Sequence, residues 1–157
     1  MRPSTTIALL ATAASVVANS VTFISQDSKD RTVHFSCNPN SANLTPVRVG
    51  GHQRVKVMFP HGWQGNYYTI IDGEANDSGM LGEITFNGWG DLTYFDVSAI
   101  VRPDDHHNVK MIWPANSQNP TSGCEFFPCA NAYNNWDDKQ TKTTTDKDLI
   151  CTIGDNY

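Results

Sequence analysis

Apolar and polar residues alternate in short runs along most of the chain, a pattern typical of β-strands that bury one face. Residues 21–24 and 32–36 show it first, and the polar stretch 25–31 between them predicts a hairpin. Further strands are predicted at residues 47–49, 53–59, 66–71, 82–87, 92–97 and 149–153, each bounded by Gly, Pro, Asn or Asp. Helical periodicity is nearly absent, and only residues 108–113 could form a helical turn.

The even spacing of these strands predicts an all-β fold, either a sandwich or a barrel, and not alternating β and α units. A chain of 157 residues fits a single domain. Neither an internal repeat nor a linker divides it. Residues 114–148 are rich in Asn, Pro, Thr and Asp and predict long loops before the last strand.

The first twenty residues have the features of a secretory signal peptide. Arg2 supplies a positive charge, residues 7–18 form a short apolar segment, and small residues allow cleavage after Ala18 or after Ser20. The apolar segment is too short to span a bilayer, which takes a helix of about 20 residues. We therefore expect a signal peptide at residues 1–20 and a secreted domain at residues 21–157.

The charge balance bears on the kind of partner. The chain has 16 acidic and 11 basic residues, a net charge of −5, and no run of Lys or Arg. Proteins that bind nucleic acids or membrane surfaces through electrostatic attraction carry a basic patch. Neither a nucleic acid nor a membrane is therefore expected as a partner, and the length excludes large two-domain enzymes.

Secretion also decides how the cysteines are interpreted. Four cysteines in an oxidising compartment predict two disulfides, whose pairing the spacing leaves open. The chain lacks the paired CxxC spacing of a zinc ribbon, so no metal or other cofactor is expected. Two sequons predict N-glycosylation in exposed loops. The cysteines are Cys37, Cys124, Cys129 and Cys151, and the sequon asparagines are Asn43 and Asn76.

Three segments carry a family resemblance. Residues 50–68 run from a Gly-initiated strand to Trp63-Gln-Gly-Asn-Tyr-Tyr, and residues 82–98 run from Gly-Glu-Ile-Thr-Phe-Asn to Leu-Thr-Tyr-Phe-Asp-Val-Ser. Together with the opening strand at residues 21–24, they resemble the corresponding segments of thaumatin-like proteins. The full set, including the segments around Cys124 to Cys129 and around Cys151, also resembles a group of small secreted fungal proteins, some of them labelled deoxyribonucleases.

The resemblance implies an antiparallel β-sandwich with an acidic cleft that binds or weakly cleaves β-1,3-glucan. Glu83 falls on the family's cleft glutamate and Asp96 on one of its aspartates, whereas Thr93 stands where another aspartate is expected. With four cysteines, fewer than the family usually has, the lid domain that forms one wall of the cleft is expected to be missing. That difference favours binding over catalysis.

Glu83 and Asp96 are the candidate catalytic residues. Glycoside hydrolysis needs one protonated and one ionised carboxyl across a gap of roughly 5–9.5 Å. The two residues are thirteen positions apart on adjacent predicted strands, so they share a face only if the intervening turn shifts the register. The alternative is that Glu83 is a solvated strand residue and Asp96 a turn-capping one.

A cluster of aromatic residues suggests binding without chemistry, because sugar rings stack on flat aromatic faces. Trp63 and Trp89 lie beside glycines in predicted turns, which favours exposure, whereas Phe86 and Phe95 are predicted to face the core. Alternate members of the cluster could instead belong to the core. The candidate ligand-binding residues are Trp63, Tyr67, Tyr68, Trp89, Asp91 and Tyr94.

The turn Asp104-Asp105-His106-His107 could hold a divalent metal or supply a nuclease base, but its composition favours an ordinary solvated turn. Taken together, the sequence predicts a monomeric, secreted fungal thaumatin-like protein that acts by binding. The expected partner is β-glucan or a protein of the host apoplast, with a role as an effector or elicitor of plant defence. The alternatives are a weak endo-β-1,3-glucanase and, more remotely, a metal-dependent nuclease.

Overall fold

The computed structural model describes residues 19–105 and 107–156, and in them the chain forms strands and loops with a single 3-10 turn at Trp89–Asp91. The strands are β1 (Asn19–Ser25), β2 (Arg31–Cys37), β3 (Val47–Val49), β4 (Arg54–Phe59), β5 (Gln64–Ile71), β6 (Leu81–Thr85), β7 (Thr93–Ser98), β8 (Val109–Pro114), β9 (Ser122–Gly123), β10 (Lys142–Thr144) and β11 (Asp148–Ile153). The predicted all-β class is confirmed. No helix within these residues has the length and apolar character needed to cross a membrane.

The strands form two sheets. The five-stranded sheet has the order β4-β1-β11-β8-β9 and the six-stranded sheet the order β10-β7-β6-β5-β2-β3. Neighbouring strands are antiparallel except β1 and β11, the first and last strands, which pair in parallel at the centre of the five-stranded sheet. The expectation of a purely antiparallel fold is therefore wrong at this one pair.

Two local predictions are also wrong. Strands β1 and β2 do not form a hairpin, because β1 pairs with β4 and β11 in one sheet while β2 pairs with β3 and β5 in the other. The residues between them cross from sheet to sheet. Residues 109–113 lie in β8 and Asn108 directly precedes it, so the predicted helical turn is a strand that pairs along its length with β11.

An aromatic layer joins the two sheets. Phe23 of β1 meets the Tyr67 ring of β5 edge-on at a centroid distance of 5.0 Å, and Phe35 of β2 meets Phe59 of β4 at 5.7 Å. Phe86 and Phe95 are buried with them, as predicted. In β6, buried Gly82 and Ile84 alternate with the more exposed Leu81, Glu83 and Thr85, so the core takes every second residue of this strand.

The first strand begins two residues earlier than the sequence predicts, at Asn19 and not at Val21. Asn19 and Ser20, which the sequence assigns to the signal peptide, are buried members of β1. The Asn19 side-chain amide donates to the Pro60 carbonyl at 3.0 Å and to Asn87 Oδ1 at 2.9 Å. Of the two predicted cleavage positions, only the one after Ala18 leaves β1 complete. The signal peptide itself stays a prediction, because residues 1–18 lie outside the described residues.

One disulfide is present where two were predicted. Cys124 and Cys129 are bonded, whereas Cys37 and Cys151 carry free thiols. Cys37 ends β2 and its Sγ donates to Asn43 Oδ1 at 2.9 Å, while Cys151 lies in the middle of β11, opposite Phe23 and Ile112. The two thiols belong to different sheets: Cys37 lies in the six-stranded sheet and Cys151 in the five-stranded sheet.

The long loops predicted at residues 114–148 are confirmed except for two short strands, β9 and β10. Residues 115–141 contain only the two-residue strand β9. The segment is fixed by its own polar groups and by the Cys124–Cys129 disulfide. For example, Asp138 Oδ2 accepts hydrogen bonds from the backbone N–H groups of Asn134 and Asn135 at 2.8 and 2.9 Å.

A buried arginine ties the sheet crossing to the C-terminal segment. Arg31 is fully buried and donates to both Asp27 carboxylate oxygens, to Ser25 Oγ and to the carbonyls of Lys29 and His107. Asp27 Oδ2 in turn accepts from the Asp155 N–H at 3.2 Å. The chain passes the guanidinium at Gly154, where φ is +79° and a Cβ would lie 2.7 Å from Arg31 Nη2. Glycine is the residue that fits here, because it adopts a positive φ readily and has no Cβ to clash with the guanidinium.

The Asp27–Arg31 pair should make stability depend on acid pH. Burial raises the pKa of Asp27, but hydrogen bonds from Arg31 and the Lys29 N–H, together with the Arg31 charge, outweigh it and lower the pKa from 3.8 to about 2. A lowered folded-state pKa gives stability that is complete above about pH 4 and is lost as the pH falls towards 2. We expect a loss of about 1–2 kcal/mol across that window in urea unfolding, after allowance for partial exposure.

The Asp27→Asn variant should lack this acid dependence. It should also lose about 3 kcal/mol at neutral pH, because it leaves the Arg31 charge buried without its partner. Asp77→Asn is the matched control, since Asp77 pairs with Arg102 at 2.6 Å but both side chains are about half exposed. Equal urea midpoints for the two variants would contradict the role of the buried pair.

The free thiols give a second prediction. Burial raises the pKa of Cys151 to about 12, and only a thiolate reacts readily with disulfide reagents. Cys151 should therefore be inert to Ellman's reagent in the native protein. In concentrated guanidinium chloride without reductant, two thiols should titrate, and one in Cys151→Ser. If the unfolded, unreduced wild type showed none, a Cys37–Cys151 disulfide would be indicated.

Candidate functional site

A row of polar side chains crosses the outer face of the six-stranded sheet. Strand pairing places Ser36 opposite Asn66, Asn66 opposite Glu83, and Glu83 opposite Asp96. Directly opposed residues in an antiparallel pair lie on the same face. The turn between β6 and β7 therefore gives the register that brings the two predicted carboxyls together.

A second row runs beside the first. Gln64 pairs with Thr85, and Thr85 pairs with Tyr94. These side chains face outward because Ile84 and Phe95, their neighbours along the strands, are buried in the core. The outer face of β5 to β7 thus presents amides, hydroxyls, carboxyls and one aromatic ring.

The loop at residues 133–141 forms a wall along this face. Tyr133 makes a parallel bridge with Ser98 at the edge of β7, and β10 takes up the pairing with β7 at residues 93–95. Between these two attachments the loop projects outward and carries Trp136, which is 87% exposed. We call residues 133–141 the loop wall.

Sheet and loop together enclose a cavity of about 370 Å³, which we call the outer cleft. Its lining combines side-chain amides, carboxyls and hydroxyls with two tyrosines and a tryptophan. The lining residues are Asn38, Gln64, Gly65, Asn66, Glu83, Ile84, Thr85, Tyr94, Asp96, Ile100, Tyr133, Trp136 and Thr141.

Asp96 lies at the base of the outer cleft and is 7% exposed. Its Oδ2 accepts a hydrogen bond from Thr141 Oγ1 at 3.1 Å, and Thr141 Oγ1 is 2.9 Å from the Tyr133 hydroxyl. Burial, and then the adjacent Glu83 carboxyl, raise the pKa of Asp96 from 3.8 to about 7. A carboxyl in this position keeps a proton at pH values where ordinary aspartates are ionised.

The carboxyl pair is poorly placed for glycoside hydrolysis. Glu83 and Asp96 are directly opposed across the β6–β7 pair and Asp96 is buried, whereas a hydrolase needs both carboxyls to reach a sugar carbon or a water molecule across a gap of roughly 5–9.5 Å. The two predicted catalytic residues are thus brought together, but in an arrangement that suits a shared proton better than attack on a glycosidic bond.

The expectation that Trp63 lies at the surface is wrong. Trp63 is 1% exposed, packs edge-on against Phe59 at 4.8 Å, and donates from Nε1 to the Ala42 carbonyl at 3.0 Å. Tyr67 is fully buried, with its ring against Gly82, where a Cβ would come within 2.3 Å of Cζ. Neither ring presents a face to the outer cleft, because both complete the core beneath it.

The other aromatic candidates are spread over the surface. Tyr68 is partly buried, stacks on His34 at 5.4 Å and donates to Asn76 Oδ1 at 3.0 Å. Trp89 is 86% exposed on the β6–β7 turn, outside the cleft lining. Tyr94 lines the cleft and donates from its hydroxyl to the Trp89 carbonyl at 3.1 Å.

Asp91 serves the turn and not the cleft. Its Oδ1 accepts from the Asn87 side-chain amide at 2.7 Å and from Lys147 Nζ at 3.0 Å. These hydrogen bonds lower the pKa of Asp91. Asp91 also adopts a positive φ of +57°, which Asp tolerates better than most residues. The sequence placed it among ligand-binding residues, and the structure gives it contacts that hold the turn.

Sequence reasoning missed the loop wall. Tyr133, Trp136 and Thr141 come from a stretch without alternation, so no strand pattern assigned them to a face. The signal that could have found the wall is Trp136 itself. A tryptophan within an Asn- and Asp-rich loop has no obvious core to enter, and loop aromatics often contact ligands.

The Asp104 to His107 turn borders a second cavity, of about 290 Å³. His106 lies outside the described residues. Asp105 Oδ2 accepts from the Met80 N–H at 3.1 Å and from the Asn108 side-chain amide at 2.8 Å, while His107 contacts Asp155. Across the residues that the structure describes, no three His, Cys, Asp or Glu side chains are grouped as metal ligands.

The predicted glycosylation sites occupy the positions expected of them. Asn43 and Asn76 are both exposed and lie in loops outside the strands. Each side-chain Oδ1 accepts a hydrogen bond, from Cys37 Sγ and from the Tyr68 hydroxyl respectively. Their modification stays a prediction.

No family model matches the chain. Comparison with known proteins gives a relative in sequence and similar solved structures. The crystal structure of the protein elicitor MoHrip2 from Magnaporthe oryzae has a TM-score of 0.63 at 13% identity, covering 87% of this chain and 99% of that one. At that identity the likeness shows a shared fold.

The antigenic protein SchS21 of Stachybotrys chartarum is 53% identical over 135 residues, which cover 86% of this chain and 94% of that protein. Identity at this level over nearly the full length of both proteins shows common descent. The chain with two β-sheets and a polar outer cleft therefore belongs to the same family as the antigenic protein SchS21.

Proposed function

We propose that this chain is a secreted protein that binds an uncharged saccharide, such as a β-glucan chain, in the outer cleft and acts as an elicitor-like or antigen-like surface component. The observation that carries the proposal is the exposed Trp136 ring beside a base of carboxyl, amide and hydroxyl groups. Saccharide sites combine an aromatic face, on which the sugar's C–H groups pack, with polar groups that bond its hydroxyls.

The polar lining suits hydroxyl groups. Asn38, Gln64 and Asn66 each offer an amide that can donate and accept, and Thr85 offers a hydroxyl. A saccharide presents several hydroxyls in different directions, each both donor and acceptor. The row of mixed donors and acceptors therefore favours such a ligand over an anion, which would face the Glu83 and Asp96 carboxyls.

Binding is favoured over cleavage because Asp96 is buried at the base of the cleft beside Glu83, whereas both carboxyls of a hydrolase must reach the glycosidic bond. A weak endo-β-1,3-glucanase is the alternative that the sequence suggested, and product analysis tests it directly. A host protein is the alternative partner, and it would use the same exposed Trp136 as an anchor.

A thaumatin-like ancestry and an extracellular location belong to this proposal. The ancestry is supported by the two packed sheets and by the position of Glu83 and Asp96 in an outward-facing cleft. Location is supported by the signal-peptide pattern, by the Cys124–Cys129 disulfide, and by a relative and a structural neighbour named as an antigen and an elicitor.

Trp136→Ala tests the proposal, with Trp89→Ala as the matched control because both rings are almost fully exposed and only Trp136 lines the cleft. By calorimetry with laminarin oligosaccharides, Trp136→Ala should weaken binding about tenfold, equivalent to about 1.4 kcal/mol, and Trp89→Ala should bind like wild type. Absence of binding by wild type, or equal losses in both variants, would overturn the saccharide site.

The same incubations test the enzymatic alternative. We expect no release of shorter oligosaccharides by wild type over hours, as shown by chromatography of the reducing ends. Release that disappears in Glu83→Gln would contradict the binding-only function, because that variant keeps the size of the side chain and removes its charge.

A further inference from the structure

The base of the outer cleft contains a polar atom whose contacts are incomplete. Asp96 Oδ1 is buried and has no hydrogen-bond donor near it, while Oδ2 is satisfied by Thr141. A buried acceptor without a donor costs free energy, more so when it is charged. The neighbouring group is Glu83, a second carboxyl, which as an anion offers no donor.

A proton resolves this conflict. If Asp96 carries it on Oδ1, the carboxyl donates to Glu83, the buried oxygen gains a partner, and the pair holds one negative charge in place of two. We propose that Glu83 and Asp96 share this proton and that it gates the outer cleft, so that the cleft binds uncharged saccharides while the proton is present and releases them when it is lost. This inference rests on the proposed saccharide site.

The surroundings of Asp96 are consistent with a retained proton. Burial is the largest cause that raises the pKa of Asp96, and the Glu83 charge adds to it, while the Thr141 hydrogen bond and the Lys142 charge only partly offset these effects. The titratable groups around Asp96 are Glu83 from β6, Lys142 from β10, Tyr94 from β7 and Tyr133 from the loop wall, with Tyr67 of β5 and Cys151 in the core behind them.

Two hydroxyl contacts hold the pair in position. Thr141 donates to Asp96 Oδ2, so its own oxygen accepts from the Tyr133 hydroxyl. This chain of hydrogen bonds connects the loop wall that carries Trp136 to the carboxyl at the base. Loss of the proton places two negative charges in contact, which favours their separation and the entry of water. Separation of the carboxyls and entry of water would each disturb both the loop wall and the base of the outer cleft.

The sign of the effect follows from the direction of the shift. The folded-state pKa of Asp96, about 7, lies above its ordinary value of 3.8, so the proton is bound below about pH 7 and lost above it. The fraction of protein able to bind then falls as the pH rises. Affinity should drop at least tenfold between about pH 6 and pH 9, because apparent affinity scales with the competent fraction.

Infrared difference spectroscopy of the protein without ligand tests the shared proton. Between about pH 5 and pH 9, wild type should lose a band from a protonated carboxyl. Asp96→Asn should lack that band, and Glu83→Gln should move its loss to lower pH. Glu74→Gln, a change of an exposed glutamate in the second cavity, should leave the band unchanged. A wild type without the band, or an Asp96→Asn variant that keeps it, would overturn the inference.

Calorimetry with laminarin oligosaccharides across the same pH range tests the gate. Wild type should lose affinity as stated above, and Asp96→Asn should bind at both ends of the range with less than a twofold difference, because an amide stays uncharged. Asp96→Asn should fold, since it removes a buried charge, and its urea midpoint above about pH 8 should exceed that of wild type.

The two proposals fail differently. Binding that is constant with pH overturns the gate and leaves the saccharide site standing. Absence of binding by wild type at every pH overturns the saccharide site and the gate with it, while the infrared band still decides whether the proton is shared.

Discussion

The outer cleft depends on the alternation of side chains along β5, β6 and β7. The core takes Tyr67, Ile84 and Phe95, and a strand that buries one residue must turn the next one outward. The outward set is then Asn66, Glu83 and Asp96, aligned in one row by the pairing of the strands. A register shift of one residue would turn both carboxyls towards the core face and the aromatic residues outward. The choice of residues buried in the core therefore determines which side chains line the outer cleft.

The surroundings of the buried side chains Arg31 and Asp96 have opposite effects on their charge. Arg31 is surrounded by acceptors, and Asp27 supplies the compensating charge from 2.5 Å. Asp96 has a second carboxyl as its neighbour, and the positive charge that acts on it is that of Lys142. The first arrangement is what a structural ion pair needs, because each partner stabilises the charged form of the other. The second stabilises a neutral form, and perturbed carboxyls of this kind are concentrated at functional sites.

The strands were predictable because their signal is local. The β6–β7 segment could be placed from the alternation of residues 82–97, and its inward Phe86 and Phe95 followed from the same pattern. The pairing of the strands was not predictable. Strand β1 is far in sequence from its neighbours β4 and β11, and local alternation does not indicate which distant strands pair. The prediction that Trp63 is exposed was wrong because a nearby glycine suggested an exposed turn, whereas the Trp63 ring packs against Phe59 in the core. Trp136 was missed because loops lack the periodicity on which such assignments rest.

The parallel pairing of β1 with β11 has a consequence for how the chain reaches its fold. The central pair of the five-stranded sheet joins residues 20–25 to residues 148–153, so it closes a loop of nearly the whole domain. Contacts between such distant residues slow folding, because the entropy of loop closure is lost before the contacts form. During synthesis, one edge of β1 can pair with β4, but the other edge has no partner until β11 has been made. The sheet that supports the molecule is thus the last part of it that a growing chain can complete.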